Sequence, residues 1–551
     1  MKINKCLHTS LWIRWCFLLP VILGGCQPRN EGIHAETHAA PQSVSDGEGN
    51  NPATSRTVYW WIYDSLDQSR IELRNKLSGT EFQRVDADKI VMHNDTTMFF
   101  WSIANIYGLS PDTEYEYRIG GEPNWTEWKS FRTYTLDLLS PSSKVPDRIL
   151  LSISGNSLTT RAVTWRTDTT ISASVAQIVD AYPDNISQLD KSLEIPAVSG
   201  RLQTDVISDN YHHVEFRDLK PGRKYLYRVG ADSYWSEWIP FTMPAETKKE
   251  FSFMYLGDAQ EGIKTLWARN IRQALSAHPE CEFVVHAGDL VDNSYQDAKW
   301  GEWFYALSWL GASVPQVPVS GNHDHYWKTS EGKGPLNLSQ YWRHLFRSPA
   351  NGPHPQDGEV FFLDHRNVRL ISINSTSFVY HEYFSDSTYY KEQLTWLDSV
   401  LESSDKRWNI LAMHHPVWWH SPGERSFLAD KLQPILNRHK VDLILGGHLH
   451  YYSRGSNPNI DGEEFLNPHN TVYVTSIGGP RIRNYRFGED AWMVKTNNTH
   501  QMYQVIKVEG DTLHFGAYNT NSEVVDAFSI IKGRGPQPNI VNNQLTGGAV
   551  P

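Results

Sequence analysis

Five short clusters of metal-ligating residues punctuate the second half of the chain. Gly257-Asp258-Ala259-Gln260 follows the apolar run Phe253–Leu256, and His286-Ala287-Gly288-Asp289, with Asp292 and Asn293 just beyond, follows Phe283–Val285. Ser320-Gly321-Asn322-His323-Asp324 follows Val319, His414-His415-Pro416 follows Met413, and Gly446-Gly447-His448-Leu449-His450 follows Leu445. Taken singly, an Asp after a strand is a turn or cap residue and a lone His is structural. Five clusters in one order leave more buried carboxylates and imidazoles than separate partners can satisfy. Carboxylates neutralise two dications, neutral imidazoles suit zinc, iron or manganese, and metals about 3.5–4 Å apart clamp both ends of an in-line displacement. The glycines let the backbone turn sharply against a ligand. A nucleotide-type Gly-rich loop and a serine nucleophile elbow are both missing, so a metal-free esterase lacks support.

Elements that could position these clusters are legible from about residue 250. Apolar runs Phe253–Leu256, Phe283–Val285, Leu370–Ile373, Ile410–Met413 and Leu443–Leu445 alternate with stretches of 3.6 period, at Ile263–Leu275 and Leu394–Leu401. Buried strands with helical crossovers predict an α/β layered domain over 250–533, whose ligands gather beyond the carboxyl ends of the strands. Ahead of it lies a repeat: Leu109–Phe131 matches Leu219–Phe241 at an offset of 110 residues with ten identities, including Tyr115/Tyr225, Trp125/Trp235 and Trp128/Trp238. The strand-period alternation around each copy, and Leu-x-Pro before Tyr-x-Tyr, resemble fibronectin type III sandwiches with a corner tyrosine. Two such domains are expected, over 56–134 and 146–244, joined by a linker at 135–146. The paired tryptophans are read as sandwich core rather than as a glycan platform.

In this order, Gly-Asp, Gly-Asp-x-x-Asp, Gly-Asn-His-Asp, His-His-Pro and Gly-His-x-His resemble the calcineurin-like metallophosphoesterase superfamily. With the sandwich domains in front, the resemblance is to purple acid phosphatase-like bacterial proteins over about residues 146–530. It implies two packed mixed sheets flanked by helices and two Fe, Zn or Mn ions at the strand ends. Asp289 would bridge the metals, Asp258 and His450 would complete the first site, and Asn322, His414 and His448 the second. His323 would act on the leaving oxygen or the phosphoryl charge, together with Asn322. His415 is a further substrate-contact candidate, while His325, His420, Arg425 and Arg454 are weaker ones. Two positions depart from the pattern. Asp292 stands where purple acid phosphatases have an iron-bound tyrosine, so no tyrosinate colour is expected, and it is read as a carboxylate that orients His323. Gln260 stands where many relatives have a ligand His and is kept both as a weak ligand and as a contact to a neighbouring water.

The first 26 residues set the compartment. Lys2 and Lys5, an apolar stretch Leu11–Leu23 and Leu23-Gly24-Gly25-Cys26 resemble a bacterial lipoprotein signal (1–25), cut before a lipidated Cys26. Polar residues 26–55 read as a flexible stalk and 534–551 as a tail. Once Cys6 and Cys16 leave with the signal and Cys26 carries lipid, Cys281 remains alone, and no intramolecular disulfide is possible. The net charge of −11 becomes −14 when Lys2, Lys5 and Arg14 are removed, which argues against nucleic acid as a partner. Together these features predict an enzyme that hydrolyses phosphate esters, monoesters first, by attack of metal-bound hydroxide. Its partners would be a small phosphate ester or phosphorylated glycan and, through the lipid, an outer membrane on its periplasmic or outer face. The alternative is an inactive phosphoesterase-like surface protein that adheres or binds glycans through its fibronectin-type domains.

Overall fold

A computed structural model describes residues 42–543 except for 49–55, 63–69, 78–81, 95–96, 122–123, 134–140, 182–185, 204–206, 328–335, 357, 385, 387, 419–426, 457–458, 461–462, 465–466, 484–492 and 536. The expected signal, lipidation site, His420 and Arg425 lie outside these residues. Among the described residues no helix is long and apolar enough to cross a membrane.

Among the described residues, the repeat is two copies of one nine-stranded sandwich. In the first, strands Gln42–Glu48, Arg56–Ile62, Thr97–Ile106 and Asp88–Asn94 pair in that order. In the second, Asp147–Ser152, Arg161–Asp168, Ser208–Phe216 and Val198–Gln203 reproduce it. The facing sheets correspond equally, around the cores Trp60, Ile71, Tyr117 and Trp165, Val214, Tyr227. The phenol oxygen of Tyr115 accepts from the Ser110 N–H and that of Tyr225 from the Lys220 N–H, each at 2.9 Å, which fixes both corners. Within the expected stalk, Gln42–Glu48 is an edge strand paired with Arg56–Ile62. An edge strand with polar faces carries no apolar period, so the sequence pattern conceals it.

The paired tryptophans are not sandwich core. Trp125 and Trp128 lie half-buried on either side of the Arg118 guanidinium, at 4.7 and 4.8 Å from their ring centres; Trp235 and Trp238 hold Arg228 at 4.3 and 4.8 Å. Arg118 also pairs with the buried Glu72. The indoles contribute cation–π attraction of about 0.5–1 kcal/mol per exposed contact rather than core volume.

The second sandwich continues into the catalytic domain. Ser152 at the end of its first strand pairs in parallel with Gln316, so one sheet runs on through Gln316–Val319, Cys281–Ala287, Phe251–Leu256, Met502–Glu509, Thr512–Asn519, Val524–Ile531 and Ile540–Asn543. That last strand occupies part of the expected tail. The other sheet orders Phe361–His365, Val368–Ser372, Trp408–Ala412, Leu443–Gly446, Val472–Thr475, Tyr452–Gly455 and Met493–Asn497. Period-two alternation divides the buried strands between layers: Ile410 and Ala412 join Phe253, Tyr255 and Val285 between the sheets, whereas Leu411 packs under helices Tyr389–Glu402 and Phe427–Arg438. The predicted helix over 263–275 forms as Ala268–Ala277 behind a wider π turn, Ile263–Trp267. Cys281, the free cysteine among the described residues, is buried, and burial pushes its thiol well above the ordinary range.

A buried ionic network joins the second sandwich to the catalytic domain. Arg148 reaches Asp297 of helix Asp297–Leu307 with two bonds of 2.6 and 2.8 Å and also donates to the Tyr211 hydroxyl. Arg166 pairs with Asp147 and Asp209, and Tyr341 donates to Asp297. Removing one member leaves a desolvated charge, so Arg148→Met is expected to cost about 3–5 kcal/mol in denaturant titration. The second sandwich and the catalytic domain should unfold in one transition. Two separate transitions, or an unaltered midpoint in the variant, would refute this coupling.

Candidate metal centre

Loops from both sheets converge at the carboxyl ends of their strands. The first sheet supplies Asp258, Asp289 and the Asn322-His323 turn; the second supplies His414, His448 and His450. Ligand atoms of Asp258, Asp289 and His450 lie within 4.8 Å of one another, and so do those of His414, His415 and His448. Asp289 links the groups, with its Oδ2 3.1 Å from His414 Nε2. Asn322 Oδ1 sits 3.1 Å from His414 Nε2 and 3.0 Å from His448 Nδ1.

Backbone geometry fixes this convergence. Asp258, Asp289, His448 and His450 all take left-handed φ values between 51° and 71°, a conformation that costs a non-glycine residue about 1–3 kcal/mol unless its surroundings enforce it. Glycines make the room. A Cβ on Gly321 would meet Asp289 Oδ1 at 2.3 Å, and one on Gly447 would meet Asp258 Oδ2 at 2.5 Å.

Hydrogen bonds choose which ring nitrogen faces the cluster. His414 Nδ1 donates to the Ala287 carbonyl at 2.8 Å and His450 Nδ1 to the Arg481 carbonyl at 2.7 Å, leaving both Nε2 atoms available to a metal. The Asp258 carboxylate accepts from the His448 N–H at 2.9 Å, and Asp289 Oδ1 from the His323 N–H at 2.8 Å. Gln260 lies inside the cluster, its Nε2 donating to Asp289 Oδ2 at 2.6 Å and its Oε1 buried without a partner. His415 accepts or donates at Nδ1 to Ser375 Oγ, and its buried Nε2 has no hydrogen-bond partner. Orphaned oxygen and imidazole nitrogen atoms beside two buried carboxylates fit a pair of cations.

His323 is held differently from the expectation. Its Nδ1 donates to the main-chain carbonyl of Asp292 at 2.6 Å, while the Asp292 carboxylate stands 3.7 Å away and equally far from Arg481. The main chain therefore orients the ring, and the carboxylate acts through charge. Burial opposes the imidazolium of His323, but Asp289 and Asp292 hold its pKa above the ordinary value.

Several contributors escaped the motif reading. Asp324 is buried and accepts from the N–H groups of Gly321, Asp289 and Leu290, tying two ligand loops together. It belongs to Gly-Asn-His-Asp, but the pattern gives no sign that the last residue is a buried brace. His325, expected as a weaker substrate-contact candidate, is instead a buried brace, bonded to the Gly321 carbonyl and to Asn374. Arg454 is buried against Asp526 and is structural. Arg481 and Arg483 lie exposed beside His450; Arg481 pairs with Glu261 at 3.0 Å, and Arg483 has no ion-pair partner among the described residues. Their signal was Gly478-Gly479-Pro480 after an apolar strand, the pattern that precedes the ligands elsewhere.

Without metal charge the cluster retains protons. Burial raises Asp258 to about 7, whereas at His414 burial is outweighed by Asp289 and Asp258, which hold it at about 9. Burial lowers His448 to about 3 and His450 to about 4, so both imidazoles are neutral at pH 7. Metal binding must displace the protons on His414 and Asp258. Calorimetry of Zn2+ or Mn2+ addition to stripped protein, in buffers of different ionisation enthalpy, is expected to show proton release at pH 7. Affinity should rise from pH 7 to 9. Proton-neutral binding would overturn this charge assignment.

Comparison with known proteins agrees with the geometry. Residues 251–452 match the calcineurin-like phosphoesterase family, and 41–133 and 146–243 each match the purple acid phosphatase N-terminal domain. Purple acid phosphatase 18 of Arabidopsis thaliana is 25% identical over 370 residues, covering 64% of this chain and 76% of that one. Acid phosphatase type 7 of Mus musculus is 24% identical, covering 44% and 56%. Purple acid phosphatase PPD1 from yellow lupin shares the fold, with a TM-score of 0.59 at 15% identity over 87% of this chain and 93% of that one. The family uses a binuclear centre of Fe, Zn or Mn, and the two ligand groups around Asp289 fit one. The chain therefore carries a calcineurin-like metallophosphoesterase domain behind two copies of the purple acid phosphatase N-terminal domain, and its homologues are purple acid phosphatases.

Proposed function

We propose that the chain is a phosphomonoesterase of the bacterial cell envelope, tethered by lipid at Cys26. The observation that carries the activity is the meeting of two donor groups at Asp289, with His323 anchored on the same turn as Asn322. The named relatives are acid phosphatases, which favours monoesters. Asp258, Asp289 and His450 would hold one metal and Asn322, His414 and His448 the other, with Gln260 and His415 at the margin. When bound, such a pair supplies the charge that activates water and holds the phosphoryl oxygens. The chain's own residues do the rest. Asn322 orients the ester oxygen, His323 gives its proton to the leaving oxygen, and Asp292 favours the imidazolium that must do so. Arg481 and Arg483 add positive charge at the exposed rim, where a doubly charged monoester gains more than a singly charged diester.

Asp289→Asn and His414→Ala are expected to lose metal and aryl-phosphate hydrolysis together. Full metal content in both variants would end the ligand assignment. Asp292→Asn retains the main-chain bond to His323, so it should keep both metals, lose about tenfold in turnover and shift the alkaline limb of the rate profile to lower pH, because the charge supporting imidazolium is gone. His323→Ala should lose about 10²–10⁴-fold at unchanged metal stoichiometry. Metal loss in Asp292→Asn would make Asp292 a ligand instead.

Support for the tether is the order of charged, apolar and small residues ending at Cys26, followed by Gln27 in place of an inner-membrane retention Asp. Cys26→Ser should abolish the lipid-sized mass increment and membrane fractionation. An unchanged intact mass would refute lipidation.

A further inference from the structure

A cavity of about 450 Å3 opens between the second sandwich and the catalytic domain, away from the metal ligands. Val214 and Val198 of the sandwich and Leu338, Trp342 and Phe346 of the catalytic domain give it apolar walls. Its charged groups are unequally neutralised. Glu215 accepts from Ser154 and pairs with Arg217; Glu359 is engaged by His325, Asn374 and Ser320. Arg343, at the exposed side, donates to the Pro355 carbonyl at 2.8 Å. Arg347 has no carboxylate partner among the described residues. Its Nη2 donates to His213 Nδ1 at 2.9 Å, and its Nε is buried with no hydrogen bond.

A partly desolvated guanidinium without a counter-charge costs folding free energy, and its planar fork matches a carboxylate. The volume lies within the usual range of about 300–1,000 Å3 for small-molecule sites, which pair apolar walls with a few placed polar groups. We propose that this inter-domain cavity binds a small organic carboxylate with an apolar body, its carboxylate paired with Arg347 and its body against Trp342 and Phe346. Burial and the neighbouring guanidinium lower His213 to about 4, so it stays neutral and offers Arg347 no compensating charge.

The test uses the full metal-loaded protein with phenylacetate and octanoate as probes and inorganic phosphate as control. Both carboxylates should raise the melting temperature and give saturable calorimetric binding, whereas phosphate should compete with them only at the metal centre. Arg347→Gln should weaken carboxylate binding at least tenfold while leaving phosphatase activity intact and ligand-free stability equal or higher, since an uncompensated charge is removed. Val198→Trp, at an exposed position on the rim, should block binding without touching Arg347. His414→Ala, which lacks a metal ligand, should still bind. Undiminished binding in Arg347→Gln or Val198→Trp, loss of binding in His414→Ala, or no binding by wild type at millimolar probe would overturn the proposal.

Discussion

The contact between Asp289 and His414 is the constraint around which the catalytic half is organised. Asp289 stands at the end of a strand in one sheet and His414 at the end of a strand in the other, and their side chains meet at 3.1 Å. No local preference brings them together. The layer of Phe253, Tyr255, Val285, Ile410 and Leu445 between the sheets sets the spacing. Strand ends must also stop at the same level, which the left-handed turns at Asp258, Asp289, His448 and His450 enforce. The strain of those turns and the cost of burying three carboxylates are offset by the core behind them and would be offset further by bound cations.

The α/β layering was legible because fully buried strands read as continuous apolar runs, and every run from Phe253 to Leu445 became a strand. The candidate ligands stood out because Asp258, Asp289, Asn322 and His448 each follow a glycine just beyond an apolar strand, while His414 follows Met413 directly. Residues that work through the main chain were not. The carbonyl of Asp292, which anchors His323, would be present whatever side chain stood there, so residue identity pointed to the carboxylate instead. Asp324 and Ser375 act on loops distant in sequence, and spacing carries no trace of that. The tryptophan pairs were misread for a related reason. The members of each pair stand three residues apart, only the first of them in a short strand, and both meet Arg118 or Arg228 rather than the core.

The two sandwich copies have the same strand order and different surroundings. In the second, the first strand meets Gln316, and Arg148 and Asp297 close the junction with buried charge. That copy forms one body with the catalytic domain, and it supplies half of the walls of the inter-domain cavity. The residues that face the junction, Arg148, Arg166, Tyr211 and Asp209, have no equivalents in the part of the repeat where the ten identities lie. The identities between the copies preserve the tyrosine corner and the arginine held by two tryptophans, whereas the junction is built from residues outside that block.

The first strand of the other copy has a different problem. Gln42–Glu48 pairs with Arg56–Ile62 on one side, and no strand among the described residues pairs with it on the other. An open edge of this kind is a template on which a second chain can add a strand. The sequence Gln-Ser-Val-Ser-Asp-Gly-Glu answers with two carboxylates, a glycine and a single branched apolar residue, a composition that discourages such pairing. The polarity that made this segment look like a spacer is what lets an unpaired edge stay solitary.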